Sequence, residues 1–388
     1  MRIIMNKKYF LLPIVILFMA VDFSYAIPAF ARKYNMTCKT CHSPFPKLKA
    51  YGDEFAGNGF TLAAQDAPRY YVETGDNELS LIRDLPLALR LEGYLTYNNS
   101  KSKQSDFNAP YLAKLISGGA IAKDVAYYFY FFFSERGEVA GIEDAFIMFN
   151  NIFGSELDAY VGQFQVSDPL FKRELRLTFD DYEVYKTKVG NSGINLTYDR
   201  GIMLTYGFKT GTDIIVEVLN GNGIDKANAI KSFDDDKYKN VFGRISQDIG
   251  DHLRVGAFGY YGNEEKTGEV NELWMAGPDA TISLEPFELN LQYVERRDKN
   301  PLFVTNPAAE INTRGAFAEL LFMPEGDDSK WYLAGLFNWV EMEKIAMTRR
   351  ASAHAGYMLR RNFRLVGEYT HDFINKFGRI GVGFITAL

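Results

Sequence analysis

From Leu87 to Leu388 the chain is built of segments of about ten residues in which apolar and polar side chains alternate strictly. Residues 87–98 set Leu87, Leu89, Leu91, Leu95 and Tyr97 against Arg90, Glu92, Thr96 and Asn98. Residues 286–296 set Phe287, Leu289, Leu291 and Tyr293 against Glu288, Asn290, Gln292 and Arg296, and 252–261 oppose Leu253, Val255, Ala257 and Tyr261 to His252, Arg254, Phe258 and Tyr260. The last segment puts Ile380, Val382, Phe384, Thr386 and Leu388 on one side. Successive side chains of a strand point to opposite faces, so every segment carries one apolar and one polar face.

A soluble sandwich or propeller also alternates, but these apolar faces are too many for one sandwich core, and no repeat period is present. In hydrocarbon, every backbone polar group must be paired within the protein, so only a closed sheet survives there. About ten tilted residues per strand match the thickness to be crossed. Aromatics make up 15% of the chain, with 24 Tyr and 31 Phe, as interfacial girdles require. Mean hydropathy is only −0.18 because alternating strands average out.

Turn spacing predicts the strand number. Short turns fall near 121–124, 151–156, 248–251, 284–286, 324–329 and 359–362; longer connections fall near 99–108, 166–189, 221–238, 262–271 and 297–312. The alternation breaks between 166 and 220, where either a strand near 173–181 is added or two strands merge. Sixteen or eighteen strands satisfy an even count, with sixteen favoured. Ser167–Ser192 is charged and long, and two placements stand open for it: a constriction inside the lumen or a solvated outer loop.

The remainder of the chain carries a different signal. Cys38-Lys39-Thr40-Cys41-His42 has the C-x-x-C-H spacing of covalent c-type haem attachment, and Cys38 and Cys41 are the only cysteines in 388 residues. Both thiols add to the porphyrin, and His42 follows as an axial ligand of its iron. A structural zinc site wants four ligands, and the next histidine is His252. A disulfide is compatible with an oxidising compartment but leaves His42 without a role. Phe45, Leu48, Gly52 and Phe55 recur at helical spacing, which predicts a short helix with one apolar edge.

Upstream, Arg2, Lys7 and Lys8 precede an apolar run from Tyr9 to Val21 and the small-residue site Ser24-Tyr25-Ala26. This reads as a secretory signal peptide over 1–26, its apolar run shorter than the roughly 20 residues of a membrane span. Its removal takes away three cations and one anion from a chain of formal net charge −6, so nucleic acid is not an expected partner. The expected domains are 27–62 as a monohaem cytochrome c segment, 63–80 as linker and 81–388 as an outer-membrane barrel. The fold class is thus an all-β, antiparallel sixteen-stranded barrel, with eighteen as the alternative, carrying a small N-terminal α-helical segment.

Haem motif and barrel together resemble the fused outer-membrane monohaem cytochrome c–porin family, including its iron-oxidising members. The likeness lies in Ala26-Ile27-Pro28-Ala29-Phe30-Ala31-Arg32, the Cys38–His42 motif, Phe45-Pro46-x-Leu48, Gly52, Phe55 and Asn58-Gly59-Phe60. It implies that Cys38 and Cys41 hold one haem c, that His42 is its proximal iron ligand, and that the segment sits in or against the barrel. It further implies electron transfer across the outer membrane, with an extracellular metal such as Fe(II) or another redox species on one side and a periplasmic c-type cytochrome on the other. Lys33-Tyr34-Asn35 departs from the Gln-Thr-Gly common in iron oxidisers, and the chain ends on Leu388 rather than an aromatic, so the donor stays open. Two alternatives remain: a transport channel with a haem-bearing plug, and a soluble periplasmic β-protein with an attached cytochrome. Arg90, Glu92, Glu288, Gln292 and Arg254 are candidates to pack the segment. His252, His354, His371, Met203, Met275 and Met358 are candidate distal ligands, beside water. The acidic runs Asp234-Asp235-Asp236 and Glu264-Glu265 are candidate cation collectors.

Overall fold

The computed structural model describes residues 29–62, 75–76, 79, 85–100, 104–305 and 310–388. Residues 1–26, expected as a signal peptide, and most of the expected linker 63–80 lie outside the described residues. Sixteen antiparallel strands close on themselves, each paired to its neighbour in sequence and β1 to β16. They are β1 Leu87–Asn98, β2 Gln104–Ala122, β3 Val125–Glu135, β4 Gly141–Phe149, β5 Leu157–Gln165, β6 Tyr198–Gly207, β7 Thr212–Leu219 and β8 Asn240–Ile249. The second half comprises β9 Leu253–Lys266, β10 Glu269–Leu284, β11 Phe287–Asp298, β12 Ile311–Phe322, β13 Trp331–Met342, β14 Ile345–Arg360, β15 Phe363–Asp372 and β16 Phe377–Ala387.

The pleat sorts side chains as the alternation requires. Arg90, Glu92 and Tyr94 of β1 are buried, while Leu95 and Tyr97 are exposed on the outer wall. On β16, Ile385 is buried and Ile380 and Val382 are exposed. Closure is completed at the last residue: Leu89 and Leu388 exchange backbone hydrogen bonds of 3.0 and 2.8 Å. A barrel so closed has no unpaired edge, and a non-aromatic final residue does not interrupt it.

Two expectations about the connections need correction. The segment 262–271 is not a long loop: β9 and β10 pair down to Lys266 and Glu269, and only Thr267-Gly268 turn, both with positive φ. Its polar composition marks strand ends that reach beyond the apolar belt, where both faces are free to be polar. The second concerns 173–181, which forms no strand. It belongs to an inward-folded loop of residues 166–197 containing only a 3-10 turn at Arg173–Leu175 and one short helical turn, Glu183–Lys186.

That inner loop crosses the lumen. Tyr182 stacks on Phe317 of β12 with ring centroids 4.2 Å apart, and its hydroxyl donates to Glu319 at 3.0 Å. Tyr185 donates to Gln292 of β11, Arg350 of β14 pairs with Asp180 and Glu183, and the Phe179 amide donates to Glu368 of β15. Toward the opposite wall, Lys114 of β2 pairs with Glu174 at 2.8 Å. Of the two placements open from sequence, the lumen is the one adopted.

Candidate functional site

The N-terminal segment is built from α1 (Ala29–Tyr34), a 3-10 turn at Cys38–Thr40 and α2 (Ala50–Gly57). The expected helix over Phe45–Phe55 is shorter than its periodicity. Pro46 disfavours helical geometry in the residue before it, and α2 starts only after Lys49. Gly52 and Phe55 are buried on it. Phe45 instead leaves the segment and packs on the inner-wall residues Tyr94, Val366 and Ile385.

The C-x-x-C-H stretch is a compact turn. Thr37 accepts from the Lys39 amide at 3.1 Å, and Cys38 carbonyl accepts from the Cys41 and His42 amides at 3.2 and 2.9 Å. The Lys49 amide returns to Cys41 carbonyl at 2.9 Å, holding α2 against the motif. Gly52 permits that approach, because a Cβ there would lie 2.3 Å from the Cys41 oxygen. Both cysteines are free and half-buried, and burial pushes both thiols up, keeping them protonated.

His42 Nδ1 lies 2.9 Å from Pro46 carbonyl oxygen. A carbonyl only accepts, so this contact assigns the proton to Nδ1 and the lone pair to Nε2. Burial holds the ring below its ordinary pKa, with the Pro46 carbonyl opposing in part, so it is neutral at pH 7. A neutral imidazole whose other nitrogen donates to a carbonyl is the usual state of a metal-ligating histidine. Among the described residues no three His, Cys, Asp or Glu side chains converge as metal ligands. A haem would take the two thiols and the imidazole at separate points, so the residues present fit it without such convergence.

The segment lies across the lumen. Phe55 and Phe60 pack on Ala126 of β3 and Met148 of β4, and Asn150 donates to Gly57 carbonyl at 2.6 Å. Lys47 pairs with Glu288 of β11 at 2.9 Å, Lys49 with Asp327 at 2.8 Å, and Lys39 with Asp328. Asp53 of α2 meets Lys172 of the inner loop at 2.9 Å. Contacts to β1, β3, β11 and β15 come from opposite walls, so the segment plugs the end at which the short turns and Leu388 lie.

Of the inner-face candidates, Glu288 meets the segment directly, and the Arg90 guanidinium stands 5.9 Å from the Phe45 ring centroid. Glu92 is bonded to Arg90 and Tyr94, Gln292 serves the inner loop, and Arg254 pairs with Asp213 and Asp248. Neither Gln292 nor Arg254 packs the segment. Five of the six candidate distal ligands are engaged elsewhere: Met203 and Met275 are in the main core cluster, His354 is bonded to Tyr332 and Glu368, His252 faces Ser283 carbonyl, and His371 lies against Tyr369 and Phe373; Met358 is on β14, where its amide donates to Lys330 carbonyl. The acidic runs are likewise used locally. Asp234 pairs with Lys239, Asp236 accepts from the Tyr238 and Glu265 amides, Glu264 holds Ser192, Gly193 and Lys266, and Glu265 pairs with Lys237.

A sixteen-stranded closed barrel with a loop folded into its lumen defines a porin-like fold. Solved structures similar to it include an anion-selective porin from Comamonas acidovorans (10% identity, TM-score 0.58, 79% of this chain and 99% of that one). The outer membrane channel DcaP of Acinetobacter baumannii matches at 12% identity and TM-score 0.55 over 79% and 97%, and OmpT of Vibrio cholerae at 11% and 0.54 over 80% and 100%. No protein-family model and no curated protein sequence matches the chain.

Proposed function

We propose that the protein is a porin-like barrel of the outer membrane that transfers single electrons through one haem c carried by its luminal segment. The observation that carries this reading is the Cys38–His42 turn, seated inside the barrel with His42 Nδ1 committed to the Pro46 carbonyl. Cys38 and Cys41 would hold the group covalently and His42 would ligate its iron. When bound, haem supplies reversible one-electron Fe(II)/Fe(III) chemistry. The chain's own residues do the rest. Phe45, Lys47 and Phe60 fix the segment to three walls, Gly52 lets α2 close on the motif, and the aromatic lining from Phe30, Phe55 and Phe60 keeps water from it.

With short turns toward the periplasm, the segment faces a periplasmic cytochrome, and the outer loops face an extracellular donor or acceptor, Fe(II) among them. Placing the redox centre in the lumen shortens both electron gaps across an apolar band about 25 Å tall. The likeness to porins and to the DcaP channel favours a second reading, in which the barrel passes solutes and the segment is its plug.

Membrane fractionation with haem staining tests the first reading. A covalent haem band is expected in the membrane fraction and is expected to vanish in Cys38→Ser/Cys41→Ser. Stopped-flow reduction of the purified protein by Fe²⁺, metal chelates or reduced periplasmic cytochrome then separates the two: haem that exchanges electrons with none of them leaves the channel reading.

A further inference from the structure

Among the described residues five arginines are buried in the barrel: Arg90, Arg173, Arg244, Arg296 and Arg364. A guanidinium out of water needs a carboxylate and most of its five donors satisfied. Four of them have the carboxylate. Arg90 holds Glu92, and Arg173, Arg244 and Arg296 each grip an aspartate in the same way, Nε to one oxygen and Nη2 to the other of Asp181, Asp279 and Asp298. Arg364, the least exposed of the five at 2%, is different. Its Nη1 donates to Tyr332 hydroxyl at 2.6 Å, but its Nε and Nη2 have no hydrogen-bond partner, and no described carboxylate forms an ion pair with it. The unpartnered atoms form the same edge that binds a carboxylate in the other three.

The location of this edge is specific. Arg364 pairs across β15 and β16 with Ile385, and Ile385 pairs on its other side with Glu92. Phe45 of the haem-motif segment docks on Ile385, Val366 and Tyr94. The Phe45 ring is 5.1 Å from the His42 ring, and Arg90, whose charge reaches His42, stands over its other neighbourhood. Arg361, three residues before Arg364, acts on Cys38. The buried fork is thus on the wall against which Phe45, three residues beyond His42, packs.

We propose that Arg364 anchors a carboxylate of the group held at Cys38, Cys41 and His42, namely a haem propionate, through its Nε–Nη2 edge. This rests on the haem reading above. A bidentate guanidinium–carboxylate pair out of water fixes the orientation of the group as well as binding it. It also places a fixed positive charge beside a redox centre that becomes more negative on reduction. The other four buried arginines are matched to carboxylates within the described residues; the Arg364 charge reaches Glu92, but its Nε–Nη2 edge is bonded to no described carboxylate.

The test uses the full-length protein with Arg364→Met and Arg364→Lys, scored first for covalent haem by the pyridine haemochrome. Wild type without covalent haem overturns the proposal together with the haem reading. Wild type and variants with equal haem leave that reading intact and isolate the present one. In Arg364→Met the reduction equilibrium is expected to fall about tenfold at pH 7, or 59 mV for one electron, and to acquire a pH dependence as the released propionate titrates. Arg364→Lys keeps the buried charge but not the fork, so most of the potential is expected back while the propionate bending band in resonance Raman shifts. A wild-type potential and pH profile in Arg364→Met overturns the proposal. If that variant does not insert, an unshifted propionate band in Arg364→Lys does so.

Discussion

Arg173→Met tests whether the inner loop is pinned by its own salt bridge. Arg173 grips Asp181 through Nη2 at 2.6 Å and Nε at 3.3 Å, and donates from Nη1 to Gln165 at 3.3 Å. The pair therefore ties the loop's two limbs together and to the end of β5. Removing one member of a buried pair costs about 3–5 kcal/mol when the other is left alone. Asp181 is not left alone, because Arg176 at 3.7 Å and Lys186 at 3.5 Å still face it. Both are partly solvated, which brings the pair's loss to about 2 kcal/mol. The unmet Gln165 oxygen adds about 1 kcal/mol. Methionine fills similar space without a charge, so little cavity term is expected. A loss near 3 kcal/mol corresponds to about a hundredfold easier local opening. Hydrogen exchange reads this at Tyr182, whose amide donates to Asp181 at 2.7 Å, and at Leu196, whose amide donates to Tyr185 carbonyl. These amides are expected to exchange about a hundredfold faster, while amides of β12 and β13 keep their protection. Wild-type exchange in the loop would refute the reasoning. Equal acceleration in loop and strands would refute it too, since the barrel rather than the loop would have been weakened.

Further outcomes follow from the same contacts. Burial alone would raise Asp181, yet Arg176, Arg173 and Lys186 hold it well below the usual carboxylate range; its stabilisation is therefore complete above the unfolded value of about 3.9 and is lost as pH falls through the folded one. The loss of loop protection in Asp181→Asn, read as a protection factor relative to wild type at the same pH, is expected to be full from pH 7 to about 4 and to close only below that; a difference that closes near pH 6 would contradict this. Gly52→Ala places a Cβ 2.3 Å from Cys41 oxygen and 3.0 Å from Leu48 Cδ2, a clash costing about 1–3 kcal/mol, so protease cleavage within 29–62 should accelerate while barrel heat-stability is unchanged. Deleting 29–62 is expected to raise ion conductance in planar bilayers; conductance equal to that of the intact chain would rule out the segment as a plug. Lys47→Ala removes the tie to Glu288 and should loosen the same segment by about 1 kcal/mol, measurable as faster cleavage than in an outer-loop control such as Lys237→Ala.

The sequence by itself determined the wall. A period of two states which face each residue takes, and strands such as 87–98 and 286–296 could bury Arg90, Glu92, Asn290 and Gln292 only by turning them inward. Turn spacing narrowed the strand number to sixteen or eighteen, because each turn is local, and closure decided sixteen. The C-x-x-C-H turn was legible for the same reason: its hydrogen bonds span four residues. What alternation does not encode is the partner of an inward residue. Tyr182 finds Glu319, Phe179 finds Glu368, and Phe45 finds Ile385 only after the sheet has closed and brought distant strands to one lumen. The inward course of 166–197 and the plug-like seat of 29–62 were therefore decided by tertiary structure. So was the unmatched fork of Arg364, which in sequence is one more inward-facing arginine. Closure sets these contacts because it fixes, across the barrel, which buried charges meet and which do not.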